Sequence, residues 1–130
     1  MNLLERKRSS SLVYDGNLLK LYKDEVILPN GKESTREWIA HPGAAAVLPV
    51  LGSGEEQRVI MVKQYRYPIG RVTLEIPAGK LDPGETPLEC ARRELLEETG
   101  YFGGELIPIG AFNTTPAFTN EIIHLFVAKE

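Results

Sequence analysis

The 130-residue chain has few of the residues that build disulfide frameworks or zinc sites: one cysteine, Cys90, and two histidines. A lone thiol excludes an intramolecular disulfide and a thiolate metal cluster, so Cys90 reads as a small packed or surface residue. No stretch approaches the ~20 consecutive apolar residues of a membrane span. The N-terminal MNLLERKRSSS is charged and has no apolar run, unlike a secretory signal. Basic excess is also missing: 15 Lys and Arg stand against 18 Asp and Glu, a formal charge of −3. That argues against nucleic acid as a partner. It leaves a nucleotide open, because phosphates can reach an acidic protein through metal. What remains, 42% hydrophobic and 25% charged residues, is ordinary for one soluble domain over 1–130 with a cytoplasmic setting and no membrane partner.

Turn signals divide the chain into short extended runs. Leu12–Tyr14 precedes an Asp15-Gly16 turn, and Leu18–Leu28 runs to Pro29-Asn30-Gly31, a strong hairpin signal. The return strand, 33–41, places Arg36 and Trp38 on one face and Glu37 on the other. Ala44–Leu51 is apolar throughout, as for a strand covered on both faces. Arg58–Tyr65 and Val72–Ile76 follow, the latter with Glu75 as a polar residue in an apolar run, read equally as a solvated strand end or a group with a role at a site. Two further strands are expected at Glu105–Phe112 and Glu121–Ala128. With seven or eight strands and one strong helix, the pattern predicts an α+β domain with a mixed sheet.

The helix is the most fully specified element. Thr86 and Glu89 form a capping-box pair with Pro87 at the first helical position, and Gly100 supplies the stop. At about 100° per residue, Leu88, Ala91 and Leu95 form an apolar stripe. Glu94 and Glu98 line one border of it, and Glu97 lies about 60° round from Glu94. Glu94 and Glu98 are a like-charge i,i+4 pair, which disfavours a helix by roughly 0.2–0.5 kcal/mol. A cation among these carboxylates removes the penalty. Oxygen ligands without a His or Cys cluster suit Mg²⁺ or Mn²⁺, not zinc.

The spacing of Gly79, Glu85, Arg93, Glu94, Leu95, Glu97, Glu98 and Gly100 resembles the Nudix box of the Nudix hydrolases, G-x5-E-x7-R-E-U-x-E-E-x-G-U, where U is a bulky aliphatic residue. Its seven fixed residues match by chance with a probability on the order of 10⁻⁸ per starting position. Tyr101 stands at the second U. Leu74–Glu85 (LEIPAGKLDPGE), Thr115–Glu121 (TPAFTNE) and Gln64-Tyr65-Arg66 are similar to segments of the ADP-ribose pyrophosphatase branch, although Ala117 replaces a frequent glycine.

The resemblance implies an α/β/α sandwich with a mixed sheet and a loop–helix–loop motif. It also implies Mg²⁺-dependent hydrolysis (Mn²⁺ as substitute) of ADP-ribose, or a similar nucleoside diphosphate sugar, to AMP and ribose 5-phosphate. A pyrophosphatase for another sugar nucleotide, such as a GDP-hexose, and a non-catalytic nucleotide-sensing module are the alternatives. Glu94, Glu98 and the Ala78 carbonyl are the implied metal ligands, with Glu97 a further ligand or an aid to the attacking water. Arg93 and Glu85 orient the carboxylates. Arg66 and Glu75 are implied at the diphosphate, Arg36 and Glu37 at the adenosine end, and Glu121 also on the substrate. The branch further implies a homodimer that exchanges its N-terminal strands, about 1–40. Members usually continue beyond the final strand with a loop, strand and helix that often supply a catalytic glutamate. The sequence stops at Glu130, which implies a partial polypeptide or a site closed differently, and leaves the general base open.

Overall fold

A computed structural model describes residues 1–102 and 104–129. These residues cluster in two compact units, Met1–His41 with Asn113–Glu121, and Pro42–Phe112 with Ile122–Glu130.

The first unit is built on an antiparallel sheet of β1 (Arg6–Asp15), β2 (Lys20–Ile27) and β3 (Glu33–Ala40), in that order. Strand β1 is ten residues long, against the three expected, and every one of them is exposed. An edge strand of this kind needs no buried face, so RKRSSS carries no alternation by which to find it. The β2–β3 turn closes as its Asn-Gly implies, with Leu28 N–H donating to Lys32 O at 2.8 Å and Gly31 at φ 85°. Register places Tyr22 opposite Trp38 and Asp24 opposite Arg36, which confirms the shared face of Arg36 and Trp38. Asp24, 8% exposed, sits on that face. Its two oxygens accept from Trp38 Nε1–H at 3.0 Å and Ser10 Oγ–H at 2.5 Å, so the buried charge is satisfied. The Tyr22 and Trp38 rings stack 5.1 Å apart.

The second unit centres on β4 (Ala44–Leu51), whose first four residues are all buried. It pairs parallel with β10 (Ile122–Lys129) and antiparallel with β5 (Arg58–Val59) and β8 (Ala78–Lys80), while β10 also neighbours β9 (Glu105–Asn113). One parallel pairing among antiparallel ones makes the sheet mixed, as expected. The run Arg58–Tyr65 is not one strand: it breaks at Ile60–Met61 into β5 and β6 (Val62–Arg66). Ile60 N–H turns to Pro49 O, and β6 leaves the sheet to pair with β7 (Arg71–Glu75) as a separate ribbon.

The core of this unit joins Ala45, Val47, Phe126 and Ala128 of the sheet to Cys90, Ala91 and Leu95 of the single α-helix among the described residues, α1 (Pro87–Thr99). Small residues on both sides let the helix lie close to β4. The capping box is formed as expected, and Gly100 takes the left-handed conformation at φ 77°. The apolar stripe differs in one respect: Leu88 is 38% exposed and Cys90 is buried in its place. Leu88 lies in the first turn of the helix and outside the core cluster, whereas Cys90 lies on the far side of Glu94 from Ala91. Glu94 and Glu98 therefore project from within the packed arc and not along its border. Of the two helical layers in an α/β/α sandwich, the described residues supply this one.

Candidate active site

Strand β8 explains where those carboxylates go. Among the described residues it pairs with β4 along one edge only, and neighbouring peptide groups along a strand face opposite edges. Pro77 O accepts from Val47 N–H on β4 at 2.9 Å. Ala78 N–H instead donates to Glu98 Oε2 at 3.2 Å, and Lys80 O accepts from Arg93 at 3.0 Å. The carbonyl of Ala78 thus lies on the helix side of the strand, beside Glu98.

Gly79 lies between these residues. A β-carbon there would overlap the Glu94 carboxylate, whose three terminal atoms are its nearest neighbours. The first glycine of the motif is required by space and not by backbone conformation, since its φ is not left-handed.

Arg93 is the hub. Its Nε and Nη2 donate to the two oxygens of Glu85 at 2.7 and 2.9 Å, the fork-to-fork pairing that fixes a carboxylate most firmly. Its Nη1 reaches Glu94 Oε1 at 2.8 Å and Glu97 Oε2 at 3.2 Å, and Asp82 lies 3.3 Å from Nε. Hydrogen bonding from Arg93, reinforced by Asp82 N–H, holds the Glu85 carboxyl down to about 2. Glu94 has a side chain only 12% exposed, while that of Glu97 is 57% exposed. Desolvation raises the Glu98 carboxyl above its ordinary range, with the Glu94 and Glu75 charges acting in the same direction against Ala78 N–H and Arg66. Cys90 is buried behind the cluster, its Sγ 3.5 Å from both Gly79 O and Lys80 O. Burial, aided by the Glu85 charge, pushes its thiol up to about 11.

Arg66 and Glu75 join the same neighbourhood, as their charges act on Glu98. Arg66 holds Glu75 through two hydrogen bonds, Nε to Oε2 at 2.8 Å and Nη2 to Oε1 at 2.5 Å, and Thr73 Oγ1–H also donates to Oε2. Bonds from Arg66 first and Thr73 second hold the Glu75 carboxyl down to about 2. Glu75 is therefore no solvated strand end. The ribbon inverts the naive pattern: Thr73 and Glu75 are half-buried, while Val72 and Leu74 are each 59% exposed.

Among the sequence-derived candidates, Arg66, Glu75, Ala78, Glu85, Arg93, Glu94, Glu97 and Glu98 all belong to the second unit. Arg36, Glu37 and Glu121 belong to the first. There the Arg36 guanidinium is held by both oxygens of Glu5, at 2.8 and 2.7 Å. Glu121 accepts from Thr114 Oγ1–H at 2.6 Å and lies 3.0 Å from His41 Nε2. Glu37 is exposed opposite Lys23. Glu5, Thr73, Asp82 and the Lys80 carbonyl were not foreseen. Only Thr73, two residues before Glu75 on one strand face, left a signal in the sequence.

Among the described residues no three His, Cys, Asp or Glu side chains already converge as a preformed metal cage. The donor set nevertheless fits a hard cation. Among the described residues Glu94 engages the protein through Oε1 and Glu98 through Oε2, which leaves one oxygen on each carboxylate, Glu94 against Gly79 and Glu98 against Ala78 of β8. Mg²⁺ commonly takes one or two carboxylates and completes its shell with water and substrate phosphate. Among the described residues no helix is long and apolar enough to cross a membrane.

Comparison with known proteins gives the family and the fold. Residues 40–130 match the model of the NUDIX domain, and residues 5–39 match that of the nucleoside diphosphate sugar hydrolase N-terminal domain. The chain is 49% identical over 129 residues to the ADP-ribose pyrophosphatase of Bacillus subtilis (strain 168), covering 99% of the chain and 68% of that protein. It is 46% identical over 125 residues to the methanol dehydrogenase activator of Bacillus methanolicus, covering 96% and 66%. The chain thus spans about two thirds of the length of these relatives. The fold matches a solved structure described as an ADP compounds hydrolase, with a TM-score of 0.83 at 22% identity over the whole chain and 70% of that structure.

Proposed function

The chain belongs to the Nudix family, and from that premise we propose that it hydrolyses the diphosphate bond of ADP-ribose to give AMP and ribose 5-phosphate. The observation that carries this reading is the pair Glu94 and Glu98, one helical turn apart at the outer edge of β8, with Arg93 clamping Glu94 and Glu85. The name borne by the B. subtilis relative supports the substrate.

Nudix hydrolases generally need divalent metal ions, and Mg²⁺, with Mn²⁺ as substitute, suits the oxygen donors of Glu94, Glu98 and the Ala78 carbonyl. When bound, such a metal polarises a phosphoryl oxygen and lowers the pKa of its water. The chain's own groups do the rest. Glu97, well exposed beside the cluster, is a further ligand or takes the proton of the attacking water. The water oxygen bonds to one phosphorus as the bridging P–O bond breaks, and the bridging oxygen leaves on the other phosphate. Arg66 retains Nη1–H groups not engaged by Glu75 and offers them to a phosphate oxygen. Arg36 and Glu37 are proposed for the adenosine end and Glu121 for the substrate, on the family resemblance alone.

The proposal includes a homodimer using the N-terminal strands, supported by the exposed Leu12, Val13 and Tyr14 of β1, and a cytoplasmic setting, with which the free, buried Cys90 is compatible. A panel of nucleoside diphosphate sugars with Mg²⁺, scored for nucleoside monophosphate release, tests the substrate. ADP-ribose should be turned over fastest. A GDP-hexose turned over faster overturns the substrate assignment, and nucleotide binding without turnover on any member favours a sensing module.

A further inference from the structure

The β6–β7 ribbon contains a device that the motif does not account for. Register sets Arg66 opposite Arg71, Gln64 opposite Thr73 and Val62 opposite Glu75. Alternation places all six on one face. Arg66 and Glu75 are thus four rungs apart, about 13 Å at ~3.3 Å per residue, and pair only because both side chains lie along the ribbon and meet over the Gln64–Thr73 rung. Thr73 is the residue beneath that meeting point. Its hydroxyl donates to Glu75 Oε2, the oxygen that also accepts Arg66 Nε–H, and it lies 3.3 Å from Gln64 O across the ribbon.

Two properties of threonine matter at this rung. The side chain is short enough for the guanidinium to pass over it, and it offers one donor to a carboxylate that Arg66 alone holds from one side. Two donors converging on Oε2 restrict rotation of the carboxylate, and with it the plane of the Arg66 fork. A β-branched residue also has restricted χ1 freedom, so the donor is aimed before the pair forms.

We infer that Thr73 is a positioning residue for the diphosphate: through Glu75 it sets the direction in which Arg66 presents its remaining N–H groups to the substrate. The inference rests on the reading of Arg66 as a phosphate contact. Thr73 itself touches no reacting atom, so its removal weakens substrate binding without slowing the chemical step.

The test compares Thr73→Val, which keeps the shape and removes the donor, with Thr73→Ser, which keeps the donor, and with Arg66→Ala, all under Mg²⁺ with ADP-ribose. Thr73→Val should raise KM about five- to tenfold, the size of one ordinary hydrogen bond because Thr73 acts on the substrate only through Glu75 and Arg66, with kcat within about twofold of the parent. Thr73→Ser should restore KM to within about twofold. In the ¹⁵N spectrum the Arg66 Nε–H, protected from exchange in the parent and in Thr73→Ser, should exchange faster in Thr73→Val. Unchanged KM and unchanged exchange in Thr73→Val, beside a defective Arg66→Ala, overturn the inference alone. Arg66→Ala with parental KM overturns the reading of Arg66, and this inference with it. A Thr73→Val defect that Thr73→Ser fails to rescue also overturns it.

Discussion

Replacing Gly79 by alanine inserts a methyl group where the Glu94 carboxylate now lies. The far end of a free glutamate would swing aside at little cost. Glu94 is not free: its side chain is 12% exposed and bonded to Arg93, which is itself clamped to Glu85. Forcing one extra carbon into such a site costs about 1–3 kcal/mol. Against this, Gly→Ala at a position without left-handed φ gains about 0.4–1 kcal/mol by restricting the unfolded chain. The net change is therefore a loss of up to about 2.6 kcal/mol, centred near 1 kcal/mol, with a fall in Tm of about 4 °C per kcal/mol for a domain of this size. Turnover should fall far more, since Glu94 can keep its place only by giving up its geometry. The assay is urea denaturation of a double-mutant cycle with Glu94→Ala. In that background the obstruction is gone, and Gly79→Ala should become stabilising by about 0.4–1 kcal/mol. A substitution that costs the same with and without Glu94, or an active Gly79→Ala, refutes the steric argument.

Other expectations follow from the same cluster. Glu98→Gln should abolish Mg²⁺-dependent turnover while leaving Tm within a few degrees, because its protein contact is one hydrogen bond from Ala78 N–H; retained activity removes Glu98 from the metal set. Glu75 and Glu85 are depressed from 4.5 to about 2, so their contribution to stability is fully present above about pH 4.5 and lost as pH falls towards 2. Urea midpoints should decline across that window, and less steeply in Arg93→Met, where Glu85 has no partner to protect; equal slopes in both contradict the assignment. Cys90, buried and pushed up to about 11, should resist iodoacetamide at pH 7.5 until the chain is unfolded, as mass spectrometry can follow.

How far the sequence could be read depended on whether the signal was local. Thr86, Pro87, Glu89 and Gly100 specify the ends of α1 through contacts within a turn or two of the chain, and those ends stand in the structure as read. The acidic motif was legible through spacing, since a single helix fixes the relation of Arg93, Glu94, Glu97 and Glu98. Partners far apart in the chain were not legible. Strand β8 is three residues whose pairing with Ala44–Ala46 has no periodicity of its own, yet it is the edge that Glu98 faces. The break at Ile60–Met61 is hidden inside a continuous run of strand-forming residues. Alternation also misleads on β7, where the apolar Val72 and Leu74 face outward so that Thr73 and Glu75 can meet Arg66. Glu5, 31 residues before Arg36, had no signal at all.

Incubation of the chain with ADP-ribose, with products resolved by chromatography before and after chelation of divalent metal, tests the central claim most directly. The account predicts AMP and ribose 5-phosphate in equal amounts with Mg²⁺ present, and neither product after chelation. Intact ADP-ribose in the presence of Mg²⁺, or hydrolysis that persists at the same rate without metal, contradicts it.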